Sequence, residues 1–245
     1  HVRAFTRNKN NEKLTSIENE HLEIFEGDLS NEDSLAQAMQ DQYGLYSVQP
    51  IIPDNVEEEL RQGEMIIDTA ERQGVNYVVY STAGGVNRDR TGPHFEALAQ
   101  LENKIKASRL NFTIIKPSFF MDNFLRITKV ENGEIKIPEF INPNVKFAMI
   151  SSIDIAKIAS TLFEDAESYN HQELEIASDE LTLNEVVKTF ATVTGKPTEI
   201  EGAFSSGTAE RSWLEEKGYV IDFVQMERIN PTRLTLDKWI AEVDF

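Results

Sequence analysis

The stretch Val56–Val86, VEEELRQGEMIIDTAERQGVNYVVYSTAGGV, most limits what this chain can fold into. Apolar side chains at Val56, Leu60, Ile66, Ile67 and Ala70 recur at the spacing of one helical face. Gly74 then supplies the left-handed residue that commonly ends a helix. Tyr77-Val78-Val79-Tyr80 is β-branched and aromatic without polar alternation, as in a strand covered on both faces of a parallel sheet. Small and polar residues, Ser81-Thr82-Ala83-Gly84-Gly85, open at its carboxyl end, where an open α/β sheet binds its ligands. This unit is therefore expected to floor the binding site.

The flanking sequence repeats the alternation. His1–Arg7 (HVRAFTR) reads as a strand, a polar helix follows from about Glu12, and His21–Phe25 (HLEIF) is the next strand. Ser30 with Asp33 has the spacing of a capping box and opens a helix whose apolar face is Leu35, Ala38 and Met39. Gly44–Val48 (GLYSV) is a short strand ending in Gln49-Pro50. After the loop Asn87–Gly92, Pro93 suits the first turn of a helix running to about Ala107, with His94, Leu98, Leu101 and Ile105 stacked on one face. Asn111–Ile115 (NFTII) is another buried strand, followed by Lys116-Pro117-Ser118-Phe119-Phe120. Strands and helices at this pace predict a parallel, doubly wound α/β sheet.

Beyond about Leu125 the pattern changes. Gly133–Pro138 and Asn142–Met149 read as short strands of a smaller C-terminal α/β lobe. Ser151 with Asp154 repeats the capping spacing before a helix to about Phe163, and Leu174–Ala177 is a strand. Thr182 and Glu185 cap a helix that ends before Gly195, and the remainder, through Trp213, Tyr219 and Trp239, is helical and irregular.

Charge and composition narrow the functional classes. A formal charge of -18 argues against general nucleic-acid binding, which needs a basic footprint. The exception is local: Arg3, Arg7, Lys9 and Lys13 against the single acid Glu12 form a basic island able to receive an anion. The chain has no cysteine, so disulfides, thiolate metal sites and a cysteine nucleophile are excluded, which fits a cytoplasmic location. His1, His21, His94 and His171 lack metal-ligand spacing, and no apolar run approaches a membrane span.

HVRAFTRN, EGDLSNEDSL, RQGEMIIDTAERQGVNYVVYST, HFEALAQLE and KPSFFMDNF occur in this order. Together they resemble the NmrA-like family of atypical short-chain dehydrogenases, closely over about residues 1–165 and loosely beyond. The resemblance implies a Rossmann fold that binds NAD(P), in proteins acting either as nicotinamide-dependent reductases or as redox-sensing regulators. It places an NAD(P)-binding domain at 1–127 and mainly a substrate or effector lobe at 128–245, with 150–178 returning to the first domain. The family's glycine-rich, pyrophosphate-cradling loop has no counterpart here, and His1 matches the start of the family's second strand. The chain is accordingly expected to be a fragment lacking the first strand, that loop and one helix.

Residue by residue, the resemblance places Thr6 and Arg7 where an adenosine 2′-phosphate would be met, which implies NADP(H) in preference to NAD(H). The alternative for Arg7 is an exposed strand end. Asp28 and Leu29 resemble the turn lining the adenine, Gln49 and Pro50 the strand end near the adjacent ribose. Ser81, with Thr82 beside it, stands where the superfold has its substrate-orienting serine, although a serine ending a buried strand is also a routine cap. Lys116, Pro117, Phe119 and Phe120 resemble the segment beside the nicotinamide; the aromatic residues, with Phe124, could equally cover the meeting of the two lobes.

The superfold's tyrosine and lysine, one helical turn apart, read here as His94 and Leu98. Leu98 continues an apolar stripe, and nothing in the sequence tunes His94, which reads as either a proton donor or a structural histidine. The first expectation is therefore an NADP(H)-binding redox sensor or regulator with weak turnover. The rival is an NAD(P)H-dependent reductase of a small quinone or carbonyl, and a third reading is an interaction module that no longer binds the cofactor. Expected partners are the dinucleotide and either a small-molecule substrate or a regulatory protein, without direct nucleic-acid or membrane contact.

Overall fold

The structure, a computed structural model, describes residues 1–17, 19–203, 208–243 and 245. Its first part alternates strands and helices: β1 (Val2–Thr6), α1 (Glu12–Thr15), β2 (Leu22–Glu26), α2 (Glu32–Met39), β3 (Gly44–Val48), α3 (Val56–Gln73), β4 (Tyr77–Ser81), α4 (Pro93–Ala107) and β5 (Phe112–Pro117). Then come β6 (Phe119–Phe120), a 3-10 turn at Met121–Asn123, α5 (Phe124–Ile127), β7 (Lys129–Glu131), β8 (Glu134–Glu139), β9 (Lys146–Ile150), α6 (Ser152–Glu164), α7 (Ala166–Tyr169) and β10 (Gln172–Ile176). The chain ends with β11 (Asp179–Thr182), α8 (Leu183–Thr194), β12 (Thr198–Ala203), α9 (Thr208–Glu216), α10 (Phe223–Ile229) and α11 (Leu236–Glu242).

A four-stranded parallel sheet in the order β10-β5-β4-β3 is the centre of the molecule, and β1 pairs with β2 in a separate parallel pair. The continuous apolar run of β4 has the consequence expected of it. Val78 and Tyr80 pack with Ile66, Ile67 and Ala70 of α3 and with Leu101 and Ile105 of α4. Tyr77 and Val79 pack on the other face with Ile155 and Ile158 of α6 and with Met226 and Ile229 of α10. Helices thus cover both faces, a Rossmann-type doubly wound arrangement. The third core lies in the C-terminal part, where Phe124, Phe140, Phe147, Phe190 and Trp239 cluster between short sheets and α8 and α11. No described helix is long and apolar enough to cross a membrane.

Local signals placed most boundaries. Gly74 ends α3 at φ 68°, and Thr182 with Glu185 forms a complete capping box on α8. Two capping expectations are corrected. Asn31, not Ser30, caps α2, because Ser30 is drawn back into a turn by the Asp28 carboxylate at 2.5 Å. Ser151 caps α6 as expected, but Asp154 does not close the box. Its carboxylate turns inward to Ser178 Oγ, Asn230 Nδ2 and the Leu234 amide at 2.5, 2.9 and 2.7 Å. The polar helix from Glu12 is a single turn with no buried residue, which gives it nothing to hold a longer helix in place.

Candidate functional site

The carboxyl ends of β4 and β5 meet at a turn built for close approach. Thr82 N–H donates to Ile115 O and Gly84 N–H to Pro117 O, both at 2.9 Å, so pairing continues past the strands. A Cβ on Gly84 would overlap the Tyr219 ring, and one on Gly85, which also has φ 82°, would overlap the Trp213 indole. The C-terminal part therefore lies directly against this turn. Trp213 Nε1 donates to Arg88 O at 2.9 Å. Arg90 sits between the rings of Phe95 and Trp213, 4.0 and 4.8 Å from their centroids, and donates to Gly84 O and to Glu210 Oε1, both at 2.6 Å.

An ionic chain runs from the turn through a buried centre to a partly exposed end. Thr82 Oγ1 donates to Glu102 Oε1 at 2.8 Å, and Asn87 Nδ2 to Glu102 Oε2 at 2.8 Å. The Lys116 ammonium bridges Glu102 and Glu173 at 2.9 and 2.7 Å, and Lys106 completes the chain on Glu173. Burial works against the Lys116 charge, but bonds and charge from Glu173 and Glu102 outweigh it and hold the pKa above the usual lysine value. This ammonium is committed within the chain.

His94, the second residue of α4, points at a partner that the sequence reading missed. Its Nδ1 lies 2.5 Å from Oε1 of Glu59, in the first turn of α3. The Glu59 side chain is 1% exposed and the His94 side chain 25%. One signal was available: Glu59 falls on the same helical stripe as Val56, Gly63, Ile66 and Ala70, a charge on a face destined for burial. Leu98, one turn beyond His94, is buried and brings no polar atom. Tyr80 comes near the pair, but burial, and then the charges of Glu102 and Glu59, raise its pKa far above neutrality.

At the ends of β1, β2 and β3 the side chains are less engaged. Thr6 Oγ1 accepts from Asn8 N–H, and the exposed Arg7 has no ion pair or hydrogen bond among the described residues. Asp28 is held below the usual carboxylate range by its bonds to Ser30, with Arg7 and Arg61 adding to the effect. Leu29 packs at the edge of the first core, and Pro50 is exposed. Gln49 is 6% exposed, yet neither its Oε1 nor its Nε2 has a partner, and Ser118 Oγ at the end of β5 is likewise buried and unpartnered. Orphaned polar groups of this kind, at strand carboxyl ends, suit a polar ligand that completes them.

The remaining aromatic residues divide. Phe119 stacks on Phe140 at 5.1 Å and Phe124 is buried with them in the C-terminal core, whereas Phe120 is exposed. Pro117 is buried within β5, and Ser81 ends β4 beside Tyr46 of β3, whose phenol pKa is raised by burial and lowered in part by a side-chain hydrogen bond with Ser81. No three described His, Asp or Glu side chains converge as a metal site would require.

Known proteins share this fold. NmrA, a negative transcriptional regulator solved with NADP, superposes with a TM-score of 0.78 at 14% identity, over 99% of this chain and 87% of that one. The same regulator has also been solved with NAD. A Citrobacter sp. triphenylmethane reductase complexed with NADP(H) gives 0.77 at 17% identity, over 98% and 89%. In sequence, an NAD(P)H azoreductase of Xenophilus azovorans is 25% identical over 173 residues, 70% of this chain and 58% of that enzyme. The chain spans 58% to 65% of the length of the curated relatives it matches. The ordered motifs, the doubly covered β4 and the glycine turn at its end coincide with a family match over residues 1–232, and the chain belongs to the NmrA-like family.

Proposed function

We propose that the chain binds NADP(H) along the carboxyl ends of β1 to β5 and uses it to reduce a small acceptor such as a quinone or carbonyl. Gln49, Ser118 and the unengaged Arg7 would hold the dinucleotide, with Arg7 on a 2′-phosphate. The bound cofactor supplies the hydride, and the chain supplies position and a proton. The observation that carries the reading is His94, seated on a buried carboxylate in the first turn of α4 instead of standing alone. The relatives include both reductases and a regulator. The test is calorimetric binding of NADPH and NADP⁺ together with steady-state NADPH consumption across quinones and carbonyls. Binding with turnover that falls in His94→Ala supports the reading; turnover indifferent to His94 contradicts it.

A second reading, a redox sensor with weak turnover, is favoured by Leu98. The family scaffold offers a lysine there to hold the nicotinamide ribose, and Lys116 cannot replace it because Glu102 and Glu173 hold it. The Arg90 clamp would link the site turn to α9, giving cofactor state a route to the C-terminal surface. A sensor requires different affinities for NADPH and NADP⁺ and a conformation that follows them.

A further inference from the structure

Glu59 and His94 come from the first turns of two helices, α3 and α4, that both start at the carboxyl edge of the central sheet. They lie 35 residues apart and meet because α3 packs along α4. Their contact is 2.5 Å, and were Glu59 ionised, its carboxylate could only accept, so that the imidazole Nδ1 would carry the proton between them. The second carboxylate oxygen accepts from Ile52 N–H, which fixes the group from the loop before α3. Nε2 makes no hydrogen bond to the chain among the described residues and is not enclosed by it.

The geometry points to a proton-donating dyad in which Glu59 is the positioning residue and Nε2 of His94 exchanges the proton, serving acceptors whose reduction takes up a proton with a hydride. This rests on the NADP(H) binding proposed above. In such a reduction the hydride, two electrons and one hydrogen, would come from bound reduced nicotinamide, which would be oxidised in turn. The carbonyl or quinone oxygen takes its proton from the His94 imidazolium, forming an O–H bond as the Nε2–H bond breaks. The imidazole is left neutral, with Nδ1–H still on Glu59, and regains its proton from solvent through its exposed edge. A helix N-terminus offers an imidazolium no counter-charge, and the buried carboxylate provides one. The nearby alternatives are poorer donors. Tyr80 is buried and held neutral, Lys116 is tied to two carboxylates, and Leu98 has no proton to give.

The dyad separates two substrate classes. Quinones and carbonyls need hydride and proton, whereas a carbocationic triarylmethane dye is completed by hydride alone and needs no acid. The experiment compares NADPH-driven reduction of a naphthoquinone and of a cationic triarylmethane dye by the unmutated protein, Glu59→Gln and His94→Gln. Acid catalysis typically contributes about 10²–10⁴ in rate, so the quinone-to-dye ratio of kcat should fall about a hundredfold in His94→Gln and about tenfold in Glu59→Gln. Imidazole nitrogen NMR without cofactor gives an independent reading. At a pH where the imidazole is neutral, the unmutated protein should show His94 as the Nδ1–H tautomer, and Glu59→Gln should mix the two tautomers. An Nε2–H tautomer in the unmutated protein, or an unchanged quinone-to-dye ratio in both variants, overturns the dyad. Absence of NADPH binding by calorimetry would remove the cofactor reading alone, leaving the tautomer to decide the dyad.

Discussion

Replacing Arg7 with alanine tests the cofactor end of the site. Arg7 follows β1, exposed and without a partner among the described residues, so a 2′-phosphate need not break an existing pair to reach it. A hydrogen bond to a charged group contributes about 1.5–3 kcal/mol, whereas exposed ion pairs give about 0–1 kcal/mol. Exposure puts Arg7 near the lower end of the first range, and the Asp28 carboxylate, which already feels the Arg7 charge, opposes an incoming phosphate. A net preference of about 1.4 kcal/mol is then expected, or about tenfold in Kd for NADP(H) over NAD(H). Arg7→Ala should remove most of it by weakening NADP(H) while leaving NAD(H) affinity nearly unchanged. Salt should shrink it too, because the screening length falls to about 3 Å at 1 M. Calorimetry with both cofactors at two salt concentrations measures all three effects. Equal affinities in the unmutated protein, or an unchanged ratio in Arg7→Ala, would refute the assignment.

Three further outcomes are expected. Leu98→Lys should raise kcat with a carbonyl acceptor about tenfold by restoring an ammonium one turn from His94, at some cost in melting temperature; an unchanged kcat would leave Leu98 a packing residue only. Asp154→Ala would strand Ser178, Asn230 and the Leu234 amide, a loss of about 3–5 kcal/mol, which at about 2–4 °C per kcal/mol lowers Tm by roughly 10 °C in a thermal melt. Burial pushes the Glu173 carboxyl up, but bonds from Lys106 and Lys116 more than reverse this and hold it below its ordinary 4.5. Its contribution is therefore complete above that value and is lost as pH falls through the lower folded value, so urea midpoints should fall less between pH 7 and pH 3 in Glu173→Gln than in the unmutated protein.

The parts of the fold visible in the sequence are those governed by neighbours along the chain. An apolar stripe, a glycine in the left-handed region and a threonine three residues before a glutamate each act within a turn or two, and α3, Gly74 and the α8 cap follow from them. β7, β11 and β12 were not legible in the same way. They carry polar and charged residues, and they are strands because partners elsewhere complete their hydrogen bonds. The candidate site divides along the same line: Ser81, Thr82 and Arg7 could be placed from the ends of strands, while the engagement of Lys116 by Glu102 and Glu173 could not.

Sequence alone determined that this chain forms a parallel sheet covered on both faces, because Tyr77–Tyr80 has no polar side to expose. It also determined where the sheet opens, because small residues follow that run. Tertiary structure alone decided what His94 is. A histidine at a helix start has no fixed chemistry; the chemistry comes from the charge beside it, and that charge sits on another helix. Glu59 reaches it because α3 and α4 are pressed together by Ile66, Ile67, Leu101 and Ile105, and once there it is too deeply buried to find water instead. A buried carboxylate must be partnered, and only the packing of the two helices could determine by which residue.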